Sequence, residues 1–191
     1  MRSSAELGTL LRSLEQHHAP DPQQESVRLA MIEFARTHPD ALHRTCVDGH
    51  FTGSALVVEQ GTGRVLLLFH TKLRRWLQPG GHTDGEATMA ITALREASEE
   101  TGIDGLRVLP APIDLDIHEV RPPSEPPHLH HDVRFLVVAP AGSSPVGNHE
   151  SESIRWVEVA ELDEFDVDDS VIRLVERGLE AARRQPGIGI D

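Results

Sequence analysis

Glu96, Glu99 and Glu100 stand three and four residues apart in the run REASEE that begins at Arg95. On a helix turning about 100° per residue, such positions stack along one side. Ala90, Ile91, Leu94 and Ala97 fall roughly opposite and give that helix an apolar face to pack. Like charges at this spacing repel by roughly 0.2–0.5 kcal/mol per pair, so the cluster either faces water or gathers a cation. Carboxylate oxygens are the donors that Mg²⁺ and Mn²⁺ prefer. Arg95 lies one position off the carboxylate side and four before Glu99, where an ion pair would hold that glutamate's orientation.

Glycines punctuate both ends of this helix. Pro79, Gly80 and Gly81 close a strand-like segment with a turn whose backbone can approach another group. Gly102 supplies the left-handed residue that ends a helix. The full stretch from Trp76 to Ile103 reads WLQPGGHTDGEATMAITALREASEETGI. It resembles the signature of the Nudix hydrolases, in which a glycine, a glutamate, an Arg-Glu pair, a Glu-Glu pair and a final glycine recur at fixed spacing. Gly81, Arg95 with Glu96, Glu99 with Glu100, and Gly102 with Ile103 match it. The signature's first glutamate falls on Ala87, and Glu86 stands one residue early.

The resemblance implies an α/β/α sandwich with a mixed sheet and a metal-dependent hydrolase, with Mg²⁺ or Mn²⁺ as cofactor. Its substrate would be a small phosphorylated molecule, its pyrophosphate cleaved by water attacking phosphorus. Glu99 and Glu100 become the leading metal ligands, with Glu96 a third ligand or the base and the Gly80 carbonyl an added oxygen. Glu86, Glu150 and Glu152 are candidates for a further carboxylate.

Composition narrows the partners. The chain has 191 residues and a formal charge of −13. Such a field opposes binding to a long nucleic acid or an anionic membrane. Cys46 is the sole cysteine, which excludes an intramolecular disulfide and a cysteine zinc cluster. No apolar run reaches transmembrane length, and the N-terminus does not read as an export signal. These features point to the cytoplasm.

Three segments organise the chain: a helical extension over 1–45, the Nudix-like domain over 46–165, and a helix with tail over 166–191. Leu7, Leu10, Leu11 and Leu14 predict a first helix, and Val27, Ala30, Met31 and Phe34 a second from about residue 23 to 37. They pack on the main domain, cover a cleft, or form a homodimer contact, packing being the default. FTGSALVVEQ and RVLLLFH read as a hairpin about Gly61-Thr62-Gly63, apolar on both faces as central strands are. Arg74 and Arg75 form a basic loop before Trp76, suited to phosphate contact or to solvent.

The proline-rich run RPPSEPP predicts an exposed excursion. After it, HLHHDVRFLVV alternates His128, His130, Asp132 and Arg134 against Val133, Phe135 and Val137. Histidines and an aspartate there fit a zinc site, or a strand end with hydrogen-bonded histidines. The resemblance offers a cleft mouth, with His130 or Arg134 beside phosphate or sugar. A last helix is predicted over about 167–184.

Cleavage of a nucleoside diphosphate linked to a sugar-like group, ADP-ribose being one candidate, is the expected activity. Hydrolysis of a nucleoside triphosphate or a non-nucleotide diphosphate, and a binding module without catalysis, are the alternatives.

Overall fold

The computed structural model describes residues 3–122, 125–149 and 151–190. Glu150 and part of the proline-rich excursion lie outside them. Two helices open the chain, α1 (Ser3–Gln16) and α2 (Pro22–Thr37). Asp21 caps α2 by accepting the Gln24 N–H at 2.8 Å, and Pro22 sits where the missing N–H costs nothing. Strands β1 (Gly49–Glu59) and β2 (Val65–His70) form the expected hairpin, with Val58 opposite Val65. Then come β3 (Arg75–Leu77), β4 (Gly80–His82), α3 (Met89–Thr101), β5 (Arg107–Val120), β6 (His128–Ala139), β7 (Ser151–Val157) and α4 (Asp169–Arg183).

The sheet is mixed. Its main path runs β3-β2-β1-β6-β5, with β4 paired to β1 and β7 to β2. β1 and β6 run parallel, Ala55 opposite Phe135, while the other pairs are antiparallel. Every residue of β1 is buried, as a central strand covered on both faces requires. One face carries Phe51, Ala55, Val57, Val133, Phe135 and Val137 against α1, α2 and α3. The other carries Leu56, Val58, Leu67, Leu136 and Val138 against α4.

The N-terminal helices share the first of these cores, through Leu7, Leu10, Leu14, Met31, Ile32 and Ala35. The buried side of α2 is rotated from the expected one: Ala30 is exposed, and Gln24 is buried in exchange. The Gln24 amide donates to the Leu115 carbonyl at 2.8 Å and accepts its N–H at 2.9 Å, so a polar side chain satisfies backbone groups on the open side of β5, the edge strand. Among the described residues no helix is long and apolar enough to cross a membrane.

Candidate active site

Helix α3 begins where the Glu86 carboxylate accepts the Thr88 N–H at 2.7 Å. It ends at Gly102, left-handed at φ 62°, whose N–H returns to the Ser98 carbonyl. Gly53 of β1 lets the helix come close: a Cβ there would lie 3.0 Å from the Met89 carbonyl oxygen and the Thr92 side chain. Ala90, Ala93 and Ala97 fill the buried face. Ile91, assigned to that face from spacing, is exposed instead, because the helix turns Thr92 and Ala93 toward the sheet. Ala87 joins the apolar core, so a side chain that packs stands where the signature has a glutamate. Glu86 is used at the helix start through one carboxylate oxygen.

The three glutamates are presented unequally. Glu100 is 4% exposed and accepts the Gly80 N–H at 2.9 Å. The Glu96 side chain, 14% exposed, lies against Gly81, and Glu99 is 57% exposed. Arg95 joins them: its guanidinium is 2.8 Å from Glu96, 3.3 Å from Glu99, and donates to the His82 carbonyl at 2.7 Å. β4 therefore forms a glycine cradle for two carboxylates. A Cβ at Gly81 would sit 2.5 Å from the Glu96 carboxylate carbon, and one at Gly80 would sit 2.2 Å from Ser54 Oγ.

Gly81→Ala is expected to move the Glu96 carboxylate, the flexible end of its side chain, at small cost to the fold. Turnover should fall at least tenfold while the melting temperature changes by less than about 3 °C, the shift of roughly 1 kcal/mol in a chain this size. Parallel kinetics and thermal melts check it.

The remaining predicted residues are dispersed. Arg74 pairs with Glu152 at 2.5 Å and lies over the Phe69 ring, while Arg75 pairs with Asp168 at 3.3 Å. Both are exposed pairs, weak in water. Arg134, which the family resemblance offered for the cleft mouth, is 3% exposed. Asp132, Asp114 and Asp116 surround it at 2.8–3.1 Å, and Ser170 of α4 accepts from it at 2.7 Å. Its guanidinium is committed to the fold, because an unpaired charge at that depth would be far costlier than the network.

His130 shares its sheet face with His128, as the alternation predicted. His131 faces the other way and stacks on Phe34. Around His130 the fold gathers His50 from β1, His82 from β4 and His118 from β5, with ring centroids 4.9, 5.3 and 5.6 Å away. Among the described residues, His50, His128 and His130 bring ligand atoms within 4.8 Å of one another. Burial, with His50 and His82 alongside, pushes the His130 imidazole down to about 2. Burial and the Arg44 charge push His82 to about 4, so both rings are neutral at neutral pH. His50 and His82 escaped the sequence reading: nothing local marks a histidine whose partners come from other strands.

The carboxylate helix on a glycine cradle, the mixed sheet and the flanking helices define a family. The chain belongs to the Nudix family: the NUDIX domain matches residues 49–177. It is a Nudix-type hydrolase, a class acting on diphosphate-containing substrates. Similar solved structures include a Nudix-family hydrolase from Clostridium perfringens, 22% identical with TM-score 0.59, covering 69% of this chain and 97% of that one. The E. coli dihydroneopterin triphosphate pyrophosphohydrolase is 18% identical with TM-score 0.56, covering 69% and 95%. A C. elegans Ap4A hydrolase is 17% identical with TM-score 0.54, covering 66% and 93%. At these identities the likeness is one of fold. No curated protein matches the sequence.

Proposed function

We propose that this hydrolase cleaves the pyrophosphate linkage of a nucleoside diphosphate joined to a polar group, such as a nucleotide sugar or ADP-ribose, with Mg²⁺ or Mn²⁺. One observation carries the choice of substrate. All the aromatic side chains, five Phe and two Trp, are engaged in packing. Phe51 and Phe135 are buried, Phe69, Trp76 and Phe165 meet edge to face, Phe34 stacks between His38 and His131, and the Trp156 indole donates to the Ser143 carbonyl. Each ring already has a packing partner, including the half-buried Phe34, Phe69, Trp76, Trp156 and Phe165, whereas the sheet face next to β4 is lined by imidazoles. This supports a polar rather than an aromatic recognition of the group beyond the diphosphate. The fold likeness to an Ap4A hydrolase is in keeping with a linked nucleotide as substrate.

The oxygen donors suit a hard divalent ion. Glu99 and Glu100 would hold it, with the Gly80 carbonyl adjoining and Glu96 as third ligand or base. When bound, such an ion neutralises phosphoryl charge and acidifies a coordinated water. The chain's own contribution is orientation. The Gly80 N–H fixes one oxygen of Glu100, the Gly81 cradle fixes where the Glu96 carboxylate can stand, and Arg95 turns Glu96 and Glu99 toward one side. A Glu96 carboxylate so placed can accept the proton of the attacking water.

Activity is expected with Mg²⁺ or Mn²⁺ and to vanish in EDTA. A panel of nucleotide sugars, dinucleotides, nucleoside triphosphates and diphosphoinositols, with products identified by mass, tests the substrate. Nucleoside monophosphate plus a phosphorylated partner is the expected outcome. Much faster release of pyrophosphate from triphosphates would reject the substrate class, and full turnover in EDTA would reject the metal dependence.

A further inference from the structure

We propose that His50, His128 and His130 form a binding site for a divalent transition-metal ion of the zinc class, separate from the carboxylates of α3. The three side chains offer ligand nitrogens within 4.8 Å of one another. Nitrogens on a tetrahedral zinc lie about 3.4 Å apart, given bonds of about 2.0–2.1 Å.

The strands themselves bring the rings together. Parallel pairing sets His50 of β1 opposite His130 of β6, and His128 lies two residues along on the same face. Ligands carried by paired central strands are held more rigidly than ligands on loops.

Two further observations point to an ion. His50 is 2% exposed, the Cys46 carbonyl stands beside its ring, and among the described residues no other group accepts from or donates to its nitrogens. A neutral imidazole carries one N–H and one lone pair, and buried polar atoms are rarely left without partners. A cation would use the lone pair. His128 is arranged in a complementary way: its Nδ1 lies 2.9 Å from the Pro126 carbonyl oxygen. That oxygen only accepts, so Nδ1 carries the proton and Nε2 keeps a free lone pair. Metal-bound histidines are oriented by this same kind of bond to a carbonyl or carboxylate.

The donor set chooses the ion. Three imidazoles without a carboxylate suit zinc, nickel or copper and suit Mg²⁺ or Mn²⁺ poorly. His82, with ring centroids 4.9 Å from His50 and 5.3 Å from His130, borders the fourth position. Its carbonyl accepts from Arg95, so an ion here braces β1 and β6 beside the strand that cradles Glu96 and Glu100. The site stands whether or not the substrate is a nucleotide sugar.

The test uses the full chain without a histidine tag, stripped with a chelator and titrated with Zn²⁺ by calorimetry and with Co²⁺ by visible absorption. One tight equivalent of each is expected at the imidazoles, apart from weaker uptake by the carboxylates of α3, and cobalt in the tight site gives the d–d band of a nitrogen-ligated four-coordinate ion. His130→Asn and His128→Gln should each weaken binding more than about a hundredfold, the upper range for losing even a supporting partner. Glu100→Gln should leave the cobalt band in place. Melting of each variant in EDTA shows whether it folds; the wild-type cobalt band, which oxygen ligands alone do not give, decides the matter independently. No stoichiometric uptake by wild type would overturn the proposal. So would a cobalt band that survives in folded histidine variants or disappears in Glu100→Gln.

Discussion

Glu100→Gln should lower turnover by about two to three orders of magnitude, with Glu99→Gln close behind, while both variants melt near the wild-type temperature. An ion that supplies several kcal/mol of charge stabilisation loses much of it when a carboxylate ligand becomes an amide, and each 1.36 kcal/mol is about a factor of ten in rate. The fold should tolerate the change for different reasons at the two positions. Glu99 is exposed at the helix surface. Glu100 is buried, but its bond from the Gly80 N–H needs only an acceptor, and the amide oxygen of glutamine provides one. Steady-state kinetics with saturating Mg²⁺, beside thermal melts, separates the effects. A glutamine variant that keeps most of its turnover would remove Glu100 from the ion's ligands. A variant that loses turnover and melts early would make the position structural.

Asp114→Ala should destabilise the chain by about 3–5 kcal/mol, the usual cost of removing one partner from a buried charge cluster. Asp114 has no exposed surface and accepts from Arg134 at 3.1 Å, Arg173 at 3.0 Å and Arg177 at 2.6 Å. Arg177 continues to Asp21 at 2.5 Å, the residue that caps α2. One carboxylate therefore ties β5, β6, α4 and the N-terminal extension. A drop of roughly 10 °C in melting temperature follows for a chain of this size, with Asp114→Asn less severe because it still accepts hydrogen bonds. If the melt moves by less than about 3 °C, water or rearranged partners must be replacing the cluster.

Asp116 adds a pH dependence to the same network. Burial alone would raise its carboxyl, but His118, Arg134 and Arg173 outweigh that and hold it well below the usual carboxylate range. A folded pKa depressed below the unfolded value of about 3.9 gives stability that is fully present above pH 4. That stability is lost as pH falls toward the folded value.

Much of the catalytic stretch was legible because its information is local. Helical period put Glu96, Glu99 and Glu100 on one side, Gly102 marked the helix end, and Gly80-Gly81 marked a close backbone approach. Alternation along β6 divided His130 and Arg134 from Val133 and Phe135 without any knowledge of what lay on either side. The apolar runs of β1 and β2 announced central strands, and their intervening glycines the hairpin.

Periodicity says which residues share a face. It does not say which distant strand lies beside them or what covers them. Arg134 looked available for phosphate because its partners come from β5, from α4 and from two places along on its own strand; only the packed arrangement shows the charge enclosed. Glu86 looked able to replace the signature glutamate, yet the backbone sets it at the start of α3, where an unsatisfied N–H takes its carboxylate. Ile91 sat near the edge of the predicted apolar face, and a small rotation of the helix decided its exposure. His50 stands 80 residues from His130, and parallel strands pair through crossovers that leave no local mark. The sequence by itself determined the carboxylate helix, its cradle and the alternation of the strands. Tertiary structure decided which charges are enclosed and which imidazoles meet, because both depend on register between segments far apart in the chain.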